Sequence, residues 1–171
     1  MYRVTLPNAT AHRTCTPLYE KHTATPYGGF LDPAETSMGI YSGMVMTRTG
    51  DDTYALMDGN TSTLRPFGLS ALDRNLVVDD FTGFGTNAWT VWFGGPDALF
   101  TITAPAFDVS ASPAYAVPTT GRQYLYAGTG AAKGMLTTAG SNANQIVAEL
   151  WSVVSATKIV VRLIGPGATA S

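Results

Sequence analysis

Short runs of β-branched and aromatic residues recur about every ten to fifteen positions along this chain. Glycine, proline or aspartate ends each run, and no amphipathic helical stretch separates them. A chain with that rhythm cannot assemble helical layers. It must pair its strands into an all-β sandwich or a small barrel. The clearest strand is Ile159-Val160-Val161-Arg162-Leu163-Ile164, where β-branched density is highest. Residues 39–48 and 53–57 read as two further strands joined by the turn Gly50-Asp51-Asp52, with Gly43 placed for a bulge.

The stretch Gly68–Phe107 holds two of the three tryptophans. Within it, Ala88-Trp89-Thr90-Val91-Trp92-Phe93 has strand composition, and Leu99-Phe100-Thr101-Ile102-Thr103 alternates apolar with polar. Gly94-Gly95-Pro96-Asp97 between them is a turn, because glycine supplies positive φ and proline cannot continue a ladder. The expectation is a hairpin with a wide turn. Ser70 is placed to cap a single helical turn over residues 70–75. Residues 122–127 and 135–137 are strand candidates. Residues 142–154 fit either period: Ile146, Val147, Leu150, Trp151 and Val154 at helical spacing, or Val147, Glu149, Trp151 and Val153 on one strand face. Strand is the preferred reading, because Ser155-Ala156-Thr157-Lys158 then forms the turn into the last strand.

Residues 1–37 differ in character. They contain both histidines, the lone Cys15 and four prolines (Pro7, Pro17, Pro26 and Pro33). Prolines this frequent interrupt a helix or a central strand. The stretch reads as an extended arm that either packs back along the domain or orders on a partner. The division expected is therefore an arm over 1–37, a β-domain over 38–164 and a frayed tail over 165–171.

Composition narrows the function classes. Hydrophobic residues make up 45% of the 171-residue chain, enough for a core. Charged residues make up only 13%, about half the usual share of roughly 25%. A net charge of −2 offers no basic field to a nucleic acid. No run approaches the ~18 apolar residues of a membrane span. The first residues lack an apolar core of signal-peptide type. A single cysteine excludes an internal disulfide and the zinc motifs built on cysteine pairs.

No catalytic signature stands out. Asp79 and Asp80, with Asp73 upstream, suggest an acid–base pair, but adjacent strand residues point to opposite faces, and a turn role fits better. Gly128-Thr129-Gly130-Ala131-Ala132-Lys133-Gly134 has neither the spacing nor the following helix of a phosphate loop. His12, Cys15 and His22 share a stretch without fixed geometry, so no metal site and no cofactor are expected. Trp89, Trp92, Phe93 and Trp151 read as core or oligomer-interface residues. Exposed together, the tryptophans would instead make a sugar-stacking platform.

Several words occur in a fixed order: Gly-Ile-Tyr-Ser-Gly-Met-Val, Gly-Leu-Ser-Ala-Leu-Asp-Arg-Asn, Val-Trp-Phe-Gly-Gly-Pro-Asp-Ala, Ala-Pro-Ala-Phe-Asp, Tyr-Leu-Tyr-Ala-Gly and Lys-Ile-Val-Val-Arg-Leu, from Gly39 to Leu163. As a set they resemble the capsid decoration (head-stabilising, or cement) proteins of long-tailed bacteriophages, especially those of actinobacterial hosts. The resemblance implies a non-enzymatic virion protein with a small β-barrel or β-tulip domain. It implies a homotrimer seated outside the expanded major capsid lattice, with the major capsid protein as partner and neither nucleic acid nor membrane. Such proteins commonly add an N-terminal arm to a capsid strand. On that reading Tyr2, Arg3, Val4, Leu6, Tyr19, Tyr27 and Phe30 are the candidate capsid contacts. The alternative is a carbohydrate- or receptor-binding β module of a virion tail or fibre.

Overall fold

The computed structural model describes residues 15–17, 24–37, 39–72, 88–94, 98–140 and 145–164. They form eleven strands and one short 3-10 turn at Gly130–Ala132. The strands are β1 (Cys15–Pro17), β2 (Ala24–Leu31), β3 (Val45–Gly50), β4 (Thr53–Leu56), β5 (Pro66–Ser70) and β6 (Ala88–Gly94). The second half adds β7 (Leu99–Thr103), β8 (Tyr124–Ala127), β9 (Leu136–Thr137), β10 (Ile146–Ser155) and β11 (Lys158–Leu163). The all-β expectation holds. Strands β2-β4-β3-β5-β6 close into a five-stranded barrel, and β1-β7-β11-β10-β8-β9 make a six-stranded sheet.

Among the described residues the path begins in the sheet, builds the whole barrel, then returns to the sheet. β1 supplies one sheet edge by pairing antiparallel to β7, with Cys15 opposite Ile102. β2 closes the barrel by pairing antiparallel along its length with β6 and parallel with β4 through Phe30–Thr53 and Leu31–Tyr54. Of the stretch 1–37 read as an arm, the described residues therefore contribute a strand to each sheet.

One local reading is corrected. The stretch 88–103 is not a hairpin: β6 pairs with β2 and β5, while β7 pairs with β1 and β11. The glycine–proline connector stops the first ladder but does not dictate a return onto it. The two strands instead meet across the interior, with the Trp92 and Phe100 rings 6.2 Å apart. Burying Phe100 and Ile102 completely requires the sheet strands on either side of β7, which a two-stranded ribbon lacks. Ser70 ends β5; of the turn expected over 70–75, residues 73–75 lie outside the described residues. The buried Ser70 hydroxyl donates to the Leu72 carbonyl at 2.7 Å and accepts the Trp89 indole N–H at 3.1 Å. The β3–β4 hairpin turns at Gly50–Asp52 as expected, with Asp52 at φ 53°. Residues 146–155 form the strand β10, because pairing with β8 and β11 buries Ile146 to Leu150 on both faces. Pro66–Ser70 was not legible as a strand. Proline is tolerated there as the first residue.

Barrel and sheet share one buried cluster that runs from Cys15 and Leu31 to Val161 and Leu163. The joint is hydrogen-bonded on several lines. Val45 N–H donates to the Gly134 carbonyl, Gly134 N–H to Met57, and the Gln145 amide to Thr61. At Gly43, with φ 95°, an added Cβ would press on Cys15, Ile102 and Ala106, so the crossing needs glycine.

Gly29 is a second close approach. A Cβ there would overlap the Asp52 carbonyl oxygen and lie 2.5 Å from a ring carbon of Tyr54. That oxygen accepts Phe30 N–H at 2.7 Å, so it cannot retreat without loosening barrel closure. Gly29→Ala should cost about 1–3 kcal/mol, the usual penalty of overpacking. A lowered melting temperature with unchanged strand content is the expected result. An unaltered melt would contradict the closure geometry.

Candidate functional site

β2 reads Ala-Thr-Pro-Tyr-Gly-Gly-Phe-Leu, paired with β6 from Ala24 to Phe30 on one side and with β4 at Phe30 and Leu31 on the other. Two of its aromatic side chains stand out to solvent. Phe30 is 55% exposed and Tyr27 49%. Tyr27 stands over an aromatic cluster. Its ring meets Phe67 edge-on at 5.8 Å, and Phe67 in turn stacks on Tyr54 at 5.2 Å and contacts Phe93 at 5.6 Å. Such pairs fix ring orientation as well as burying area. Phe93 and Phe67 are half-buried, and Tyr54 is fully buried. The Tyr54 hydroxyl has no hydrogen-bond partner among the described residues. Burial, and then the Asp52 carboxylate, raise its pKa. A shallow groove of about 250 Å³ lies beside the cluster, lined by Thr47, Arg48 and residues 63–67. It contains no carboxylate, imidazole or thiol.

The tryptophans do not share a surface. Trp89 is 8% exposed, its indole N–H spent on Ser70 inside the core. Trp92 is half-buried against Phe100. Trp151, on β10, is exposed beneath the Arg162 guanidinium, 5.8 Å from its ring centre. Trp89 and Trp92 thus form no stacking platform for a sugar.

Tyr2, Arg3, Val4, Leu6 and Tyr19 lie outside the described residues, as do Asp73, Asp79, Asp80, His12 and His22. Among the described residues, no three His, Cys, Asp or Glu side chains gather as a metal would require. Cys15 is a buried thiol whose backbone N–H donates to the Ser42 hydroxyl. Lys133, from the glycine-rich turn, is an ion-pair partner of Glu35 at 3.1 Å. No helix among the described residues is long and apolar enough to cross a membrane.

What this geometry offers is surface: a closed barrel with aromatic side chains standing out from the strand that closes it. A family model described as phage cement protein matches residues 1–171, the whole chain. The chain belongs to that family. As a phage cement protein it is a structural component of the virion capsid, with a stabilising role there. Its strands show how such a part is built. The fold is similar to one solved chain, from a structure titled "The capsid of Myoviridae Phage XM1", at 16% identity and a TM-score of 0.49, over 82% of each chain. No curated protein matches the sequence.

The sequence missed one element of the cement protein's design, the buried Glu35. Asp32-Pro33-Ala34-Glu35 looks like an ordinary turn. Nothing local announces that Glu35 meets a lysine 98 positions later.

Proposed function

We propose that this chain decorates the outside of the expanded major capsid lattice as a homotrimer and makes no covalent change in its partner. The observation that carries the reading is the pair Tyr27 and Phe30. They are large, exposed and borne on a strand held along its length by β6, in a member of the cement family. A rigid strand presenting aromatic anchors binds with little ordering cost. The contacts expected are those residues together with Tyr2, Arg3, Val4, Leu6 and Tyr19 in the segment before β2. Low charge across the chain suits broad protein contact, since charges are costly to bury. Binding to the assembled lattice and not to separate subunits stabilises the lattice by mass action. Three linked copies raise the effective concentration of each contact, so weak single contacts suffice.

Purified protein added to emptied, expanded capsids should bind and raise their disruption temperature. Phe30→Asp should weaken that binding about tenfold or more, the scale of losing one aromatic anchor, with little change in the protein's own melt. Failure of the unmodified protein to bind such capsids would overturn the reading. Unchanged binding by the variant would remove β2 from the interface.

A further inference from the structure

We infer that the outer half of β10 is a docking edge for an extended, acidic, partly apolar segment of a neighbouring capsid-shell subunit. The inference rests on the capsid-decorating reading and deepens it by naming a second contact and its chemistry.

β10 changes character half-way. Ile146 to Leu150 are all buried, flanked by β8 on one side and β11 on the other. The ladder with β8 stops at Glu149–Tyr124, and the last main-chain bond on that side runs from Leu150 N–H to the Gln123 carbonyl at 2.9 Å. Beyond it, residues 151–155 pair with β11 alone among the described residues. They carry the densest run of exposed apolar side chains in the described structure: Trp151 at 52%, Val153 at 43% and Val154 at 57%. Proteins normally blunt an open edge with proline, inward charge, a bulge or a covering loop. Here the device is a pair of register shifts, between Leu150 and Ser152 and between Val153 and Ser155, which leave Trp151 and Val154 as the extra residues with their apolar side chains exposed. Unpaired backbone beside exposed β-branched side chains is what an added strand requires.

Charge selects the occupant. Arg122 and Arg162 both engage one carboxylate, Glu149, where the β8 ladder stops, and Lys158 lies opposite Ser155 at the tip of the β10–β11 hairpin. This is a local cationic excess in a chain whose net charge is −2. Arg162 also lies over Trp151, so the cation and the apolar anchor occupy one spot. A second copy of this mildly acidic chain gains less from such a site than a strand that brings its own carboxylates. An incoming segment with apolar residues on one face and acidic ones nearby meets both features.

The test uses the full-length protein and emptied, expanded capsid shells. Val154→Asp and Val154→Lys both remove an exposed valine, and neither touches the core. Val154→Asp should weaken shell binding about tenfold, on the scale of an introduced like-charge clash. Val154→Lys should bind better than Val154→Asp, because its charge suits an acidic partner. Trp151→Ala and Lys158→Glu should each weaken binding, and added salt should weaken the unmodified protein. Melting temperatures of the four variants report folding independently. Where Val154→Asp lowers the melt, Lys158→Glu carries the comparison. If the unmodified protein binds shells and the variants match it, or Val154→Lys is the weaker valine variant, the docking edge is overturned while the decorating role stands. If Trp151→Ala alters only the protein's mass in solution, the edge is a self-contact and the inference fails. If the unmodified protein ignores shells, both readings fall together.

Discussion

Deleting residues 1–36 should abolish cooperative folding, whereas deleting 1–14 should leave a folded protein that binds capsids less well. The shorter deletion stops before β1, so both sheets keep their strands. The longer one removes β1, all of β2, and Glu35. Without β2 the barrel opens between β4 and β6, and both edges lose their ladder partner. Leu31, 3% exposed, leaves a hole where its side chain packed. A buried leucine alone is worth about 2–5 kcal/mol. Domains of this kind have only about 5–15 kcal/mol in hand. Losing the leucine, the strand pairing and the ion pair together therefore exceeds what the fold can absorb. Circular dichroism and thermal melts read the outcome directly. A sharp melt for the longer deletion would show that the barrel does not depend on β2. Full capsid occupancy by the shorter deletion would remove residues 1–14 from the interface.

That contrast shows where the sequence is transparent and where it is not. Strand identity is carried by local chemistry, so β3, β4, β10 and β11 can be read from β-branched density and from the turns at Gly50–Asp52 and Ser155–Lys158. Partner choice is carried by burial, which no local window contains. The same connector chemistry at Gly94–Asp97 is compatible with a hairpin and with a change of sheet. Only the complete burial of Phe100 and Ile102 selects the second. β2 was obscured because its Pro26 and paired glycines resemble an irregular arm. In the folded chain Gly29 is required by contact with Asp52 and Tyr54. The candidate contacts Tyr27 and Phe30 were legible as aromatics with no core to enter from that stretch. Their joint exposure does not follow from alternation, because residues three apart on a strand point to opposite faces; residues 25–28 and 30 are all exposed, and burial returns only at Leu31. Trp151 was readable as strand but not as surface, because the bulges that turn it outward leave no mark in composition.

Glu35→Ala should lower the melting temperature by about 5–10 °C at neutral pH, the scale of about 2–3 kcal/mol in a domain of this size. Glu35 is 6% exposed, yet its carboxylate reaches Ser37, Leu56 and Lys133. One carboxylate oxygen accepts Ser37 N–H at 3.0 Å. The other accepts Leu56 N–H at 3.0 Å and the Lys133 ammonium at 3.1 Å. The carboxylate thus ties the end of β2 to the end of β4 and to the turn between β8 and β9, across the joint of barrel and sheet. Lys133 is about one-third exposed, so solvent screens the pair, and the estimate sits below that for a fully buried one. Burial by itself raises the Glu35 pKa. The hydrogen bonds from Ser37 and the charge of Lys133 outweigh it, and the net shift is downward. A carboxyl whose folded pKa lies below its unfolded value stabilises the fold fully above that unfolded value, about 4.3. The contribution is lost as pH falls through the folded pKa. The gap in melting temperature between the native protein and Glu35→Gln should therefore be wide at pH 7 and narrow as the medium is acidified below about pH 4. Lys133→Met provides the complementary test. It leaves the carboxylate buried without its ammonium, so it should be more damaging than Glu35→Gln at neutral pH and should recover part of the loss in acid. The double variant Glu35→Gln, Lys133→Met should then be less destabilised than the two single losses added together. Strict additivity, or a gap that does not change with pH, would show that the pair is incidental to the joint.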